Sequence, residues 1–267
     1  MWRSLDPTYP SNLAILAWSL VAWGVWGWAA GLSIFLAWAL TRELDPDHPG
    51  SALLAAGLAT CWGGYSSGLF LLLLGMRLVS RTPGLPARWL DSLLVIGLAW
   101  TRPNAAWIAA AAFFLDATLD KPLRRHLVFG LLALVSMGHS DSLLGAAYAP
   151  ETGWGLLLCL SFLSLGMSTG PLQSLGDASG APLSAGRVLA AQLLAVLAAL
   201  LSVWFWQRMG VYSWWPLWSA LFATILWRGA SFLWNWRSTG VSRSTLERNF
   251  PMEIHGDGTS PSGSGSV

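Results

Sequence analysis

The sequence predicts an all-α fold, a polytopic integral-membrane helix bundle with about seven to eight membrane segments. Three observations predict it. Of 267 residues, 54% are apolar and only 10% carry charge, where a soluble domain is nearer a quarter charged. Mean hydropathy is +0.53. The apolar residues gather in long Leu- and Ala-rich runs rather than short alternating ones, which excludes a transmembrane barrel and leaves helices, whose backbone groups pair internally in lipid.

The runs are read in order against the roughly 20 residues that cross a bilayer. Residues 12–40 form one long span and 51–76 a second. Residues 89–118 are two short apolar stretches flanking Thr101-Arg102-Pro103-Asn104. Proline removes a donor and drives the chain off a helix, so this region reads as a Pro-broken hairpin, either two short spans or a re-entrant loop. Residues 126–147, 154–175, 187–206 and 212–236 give four more spans. Gly166-Met167-Ser168-Thr169-Gly170-Pro171 reads as a kink, a helix end or a broken helix at a site. Residues 1–236 are then one transmembrane domain. Residues 237–267 form a cytoplasmic tail whose Gly/Ser-rich end has no core to join.

Arginine and lysine set the orientation. Arg3, Arg77, Arg81, Arg88, Lys121, Arg124, Arg125, Arg237, Arg243 and Arg248 all fall on the cytoplasmic side if 89–118 leaves and returns to the same face. The acidic stretch with Glu43, Asp45 and Asp47 then faces outward. Both termini are cytoplasmic, in a plasma or inner membrane. Acidic Asp6 and Pro7 near the start, and the length of the first run, do not fit a cleavable signal peptide. Nineteen tryptophans suit the membrane interface, where an apolar ring and an N–H donor are both satisfied. Gly24, Gly27 and Gly31, and Gly63, Gly64 and Gly68, are spaced for close helix contact.

Net charge is +2, which implies no polyanionic partner and no nucleic acid. Cys61 and Cys159 stand alone in apolar runs, without the paired spacing of zinc or redox motifs. No phosphate-binding glycine motif, HExxH or acidic prenyl-transfer cluster occurs. Ionisable residues inside spans are the functional candidates. Arg102, beside Pro103 and Asn104, is an anion or substrate contact if the hairpin is re-entrant and a turn residue if it spans. Asp91 and Asp116 lie near the inner ends of the hairpin; Asp116 reads either as paired in solvent near Asp120 and Lys121 or as an ion relay. His139-Ser140-Asp141-Ser142 is the most polar outer helix end. Its contiguous residues cannot converge as a triad, but His139, with Asp141 and Met137, can supply part of a metal site. His126 reads as an interfacial anchor, and Arg228 as a residue that snorkels to the inner interface.

One family resemblance adds to this. Gly170-Pro171-Leu172-Gln173-Ser174-Leu175, then Ser184-Ala185-Gly186-Arg187-Val188-Leu189, then Trp206-Gln207-Arg208, resemble the closing half of the copper-resistance D (CopD) membrane domain. Trp23-Gly24-Val25-Trp26-Gly27 and Gly138-His139 are similar to its Trp-x-Gly-Gly and Gly-His elements, while Gln192 stands where that family has Lys. The resemblance implies about eight spans and copper handling, with His139 as the transferable ligand.

The function expected from these features is a transporter or channel for a small solute or metal ion, contacting it through Arg102, Asn104, Asp116, His139 and Asp141. Two other classes stand beside it. One is a non-catalytic subunit or assembly factor of a respiratory or pigment-binding membrane complex; the other is an intramembrane enzyme acting on a lipid or isoprenoid. The few buried ionisable groups favour a non-enzyme. The expected partners are the lipid bilayer and other membrane subunits. The sequence names no cofactor.

Overall fold

A computed structural model describes residues 10–61, 64–119, 123–137, 150–167 and 172–249. Among these residues there are ten α-helices and no β-strand. The predicted all-α class holds. The number and length of the spans do not follow the sequence reading, because glycine, proline and irregular backbone divide the apolar runs.

The first run is two helices, α1 (Pro10–Trp26) and α2 (Trp28–Leu44). Gly27 separates them at φ +92°, a conformation that side chains disfavour. Asn12 near the start of α1 accepts a hydrogen bond from Arg42 near the end of α2, at 3.4 Å. The pair is therefore an antiparallel hairpin and not one span. Gly31 allows its close packing: a Cβ there would lie 2.5 Å from the Ser19 carbonyl oxygen and 3.1 Å from Trp23 Cβ. Gly31→Leu is expected to push α1 off α2 and destabilise the protein by about 1–3 kcal/mol, the usual cost of overpacking. Thermal unfolding in detergent, followed by tryptophan emission, measures it; an unshifted midpoint would remove Gly31 from the account of the hairpin.

The second run also divides, into α3 (Pro49–Ala59) and α4 (Gly68–Ser80) with an irregular link. The third breaks where Pro103 stands, as the sequence predicts. α5 (Trp89–Thr101) ends there, a 3-10 turn covers Pro103–Ala105, and α6 (Ala106–Thr118) follows. α7 is Arg125–Met137. α8, Pro150–Ser161, continues as a π-turn over Phe162–Gly166 and ends there, matching the helix-end reading of that glycine. α9 is Ala185–Ser213. α10, Trp215–Asn249, runs past the boundary expected at 237. The chain divides into two compact units, Met1–Arg228 and Gly229–Val267.

These breaks shorten the helices. Thirteen residues, as in α4 to α7, rise about 20 Å, against a hydrocarbon core of about 30 Å. Among the described residues, one helix segment, Ala185–Trp204, is long and apolar enough to cross a membrane.

Within the first unit, α6 packs on α4, α5, α7 and α9. Its inward face is largely alanine, including Ala106, Ala109 and Ala112, all without exposed surface. Small side chains let backbones approach, and the gain is in van der Waals packing. Gly75 of α4 is one such contact: a Cβ there would sit 3.2 Å from Ala112 Cβ. The outward faces are apolar as well. Leu20 and Val21 of α1, Leu90 of α5, and Val128, Leu131 and Val135 of α7 are all exposed.

Folding back at Gly27 has a second consequence. Together with the fold-back between α3 and α4, which brings Tyr65 to Trp28 at one end and Arg77 to Glu43 at the other, it places the acidic stretch at the end of the bundle that carries the arginines, whereas the sequence reading placed the two on opposite sides. Glu43 receives Arg77 at 2.7 Å. Asp45 receives Arg228 at 2.8 Å, so Arg228 is tied to a carboxylate rather than reaching along the lipid interface.

Candidate functional site

Two ends of the bundle differ in chemistry. The ends of α2, α4 and α6 meet the starts of α5, α7 and α9 in a buried polar network. Asp116, fully buried near the end of α6, is its centre. Arg81 Nη2 lies 3.0 Å from Asp116 Oδ1, and Arg81 Nε donates to the same oxygen at 3.1 Å. Arg187 Nη1 donates to Asp116 Oδ1 at 2.7 Å and to the Val79 carbonyl at 3.0 Å. His126 Nδ1 is 2.8 Å from Asp116 Oδ2, and His126 Nε2 is 3.1 Å from Ser92 Oγ. Asp116 is thus paired across the bundle, not with its sequence neighbours. His126 is buried, not an interfacial anchor. Arg81 takes part from an unusual backbone position: it caps α4 at φ 52°, a left-handed conformation that usually belongs to glycine.

Ser92, His126 and Asp116 have the order of an acyl-transfer triad. Their burial argues otherwise: Ser92 and His126 have no exposed surface, so no substrate carbonyl reaches the hydroxyl in this state. The geometry is that of a clamp. Buried charges are tolerated when paired and hydrogen-bonded, and this one ties α4, α6, α7 and α9 together.

A second polar group adjoins it. Glu43 accepts from Arg77, from Ser80 at 3.1 Å and from Thr82 at 2.8 Å. Gln192, on α9, donates to the Leu44 carbonyl at 2.6 Å. Asp47 binds the loop before α9, accepting the N–H of Gln173 at 3.2 Å and of Ser174 at 2.8 Å. Burial works against the Asp47 charge. The Ser174 side chain, these two N–H groups and the His48 charge outweigh it, so its carboxyl is held below the ordinary value. The sign follows: a depressed carboxyl stabilises the docked loop above the ordinary carboxylate value, near 4, and that contribution is lost as pH falls through the lower folded value. Hydrogen exchange is expected to show Gln173 and Ser174 less protected at acid pH, and at neutral pH in Asp47→Ala; equal protection in that variant would exclude the contact.

Three cavities run between these ends. The first, about 390 Å³, is apolar and lies between α2, α4 and α5; Phe35, Trp38, Phe70, Leu74, Leu94 and Leu98 line it, with Arg77 toward one end and Arg102 toward the other. The second, about 430 Å³, opens beside the α5–α6 break, among Ser66, Ser67, Thr101, Arg102, Asn104 and Trp214. Arg102, Thr101 and Ser67 belong to both. The third, about 100 Å³, is polar and sits at the acidic end, among Arg42, Glu43, Arg77, Thr82, Ser174 and Asp177. Arg77 joins it to the first. Loss of water around Asp177 pushes its carboxyl up; Arg42 opposes this, Glu43 adds to it, and Arg77 opposes it.

Of the residues expected from sequence, Arg102 and Asn104 come together at the second cavity, and Asp116 lies in the clamp at the other end. His139 and Asp141 lie outside the described residues, as do Gly138, Gly170 and Pro171. Among the described residues no group of His, Cys, Asp or Glu is placed to hold a metal ion. Asp91 caps α5, accepting the Arg88 N–H at 2.9 Å. Sequence reasoning missed Glu43, Arg77, Arg81 and Arg187 as partners. Their signal was present: arginines recur at helix ends where the lipid reading asked for none buried. No family model, curated protein or solved structure matches the chain.

Proposed function

We propose that the protein is a membrane-embedded transporter of a small amphipathic solute, which travels along the face where α2, α4 and α5 meet. The observation that carries this reading is the succession of three cavities, polar, apolar and polar, joined through Arg102 at one junction and Arg77 at the other. Exposed large apolar side chains on α1, α5, α7 and α8 support lipid as the surrounding solvent, since extensive exposed apolar surface marks membrane or protein contact. A cavity of a few hundred cubic ångströms is in the usual range for a small-molecule site. The Arg77–Glu43 pair closes the path at its acidic end, and the clamp around Asp116 gives the moving parts a rigid neighbour.

The test is exchange of an NBD-labelled lysophospholipid across proteoliposomes, read by dithionite quenching. The protein is expected to raise the exchange rate. Leu98→Trp, which fills the apolar cavity, is expected to return it to the protein-free rate. Equal rates for Leu98→Trp and the unsubstituted protein would remove the path from the proposal.

A further inference from the structure

We infer that the apolar cavity takes a single-chain amphiphile with an anionic headgroup, its chain between α2, α4 and α5 and its headgroup on Arg102. This rests on reading that cavity as a ligand site, and it names what the site selects.

Charge decides the headgroup. None of the residues lining the apolar cavity or the cavity beside the α5–α6 break is acidic. Two arginines line the apolar one. Arg77 is already neutralised by Glu43 at 2.7 Å. Arg102 is exposed, and among the described residues no carboxylate is paired with it. Tyr65 belongs to the same cavity wall. An arginine fork suits the oxygens of a phosphate or carboxylate.

The backbone holds Arg102 in place without using its side chain. Its N–H donates to the Ala99 carbonyl at 3.1 Å, and its own carbonyl accepts from Ala105 at 2.9 Å. Pro103 fixes the turn that follows. Ser66, Ser67, Thr101 and Asn104 share the rim and offer hydrogen bonds to a headgroup. Below the rim the wall is aliphatic and aromatic. It follows α4 from Ser67 to Arg77, about 15 Å at helical rise, the shape of one extended chain.

Binding of 11-(dansylamino)undecanoic acid to the full-length protein in phosphatidylcholine nanodiscs tests this. Dodecyl phosphate is expected to displace the probe and inorganic phosphate is not. Arg102→Gln is expected to weaken the probe about tenfold or more, the loss of a charge-assisted contact. Arg102→Lys should recover part of it, and displacement by uncharged dodecanol should be the same in all three proteins. Arg102 is exposed, so its variants are expected to keep the unfolding midpoint. Leu98→Trp separates the two readings. If Leu98→Trp abolishes binding and Arg102→Gln does not change it, the cavity stands and the headgroup assignment falls. If neither changes it, both fall. Displacement by inorganic phosphate as effective as by dodecyl phosphate identifies a free-anion site and overturns the amphiphile.

Discussion

Asp116→Asn is expected to be the most destabilising single substitution at the polar end, with a loss of about 3–5 kcal/mol. That is the usual cost of removing one partner from a buried ion pair. The carboxylate has no exposed surface and meets Arg81, Arg187 and His126 at once. Asparagine keeps the shape and one acceptor oxygen, but it leaves two guanidinium groups facing each other with no opposing charge. Replacing the whole group by apolar residues would cost less than breaking it, because the penalty belongs to the charges left behind. The measurement is thermal unfolding in detergent, combined with Arg81→Gln in a double-mutant cycle. The two losses should be strongly non-additive, since either one empties the same contact. Additive losses, or an unchanged midpoint in Asp116→Asn, would show that the network does not hold the helices together.

Glu43→Gln is expected to act on stability and transport in opposite directions. Glu43 is 2% exposed and accepts from Arg77, Ser80 and Thr82. Loss of its charge should cost about 1.5–3 kcal/mol, the range for hydrogen bonds to a charged group. Arg77, which lines both the apolar and the acidic-end cavities, then loses its Glu43 carboxylate, and exchange of the NBD-labelled lysophospholipid should rise above that of the unsubstituted protein. Arg77→Gln should raise it too. Destabilisation with no rise in exchange would make Glu43 purely structural and place the barrier elsewhere on the path.

The two substitutions show where reading the chain stops. Asp116 was visible as an ionisable residue near a membrane helix end, and the sequence even supplied its neighbours Asp120 and Lys121. Its partners lie 10, 35 and 71 positions away. Spacing along one helix reports only contacts within about a turn or two, so Arg81 and Arg187 could not be assigned. Arg102 fared better because its setting is local. Pro103 breaks the helix by its own covalent geometry, and a cation at such a break stays at the rim whatever packs around it.

Composition and patterning by themselves determined that this chain is helical, that its outward faces are apolar, and that residues 89–118 turn at Arg102-Pro103. These are properties of backbone chemistry and of short-range periodicity. Only the tertiary structure decided that the run of residues 12–40 is a hairpin. Gly27 permits a left-handed turn without requiring one, and the decision came from the contact of Gly31 with Ser19 and of Arg42 with Asn12. That fold-back and the one between α3 and α4 placed Glu43 and Asp45 at the arginine end rather than opposite it. Counting charges in loops assumes that each long apolar run crosses once; packing between helices, which no count contains, determined where this one turned.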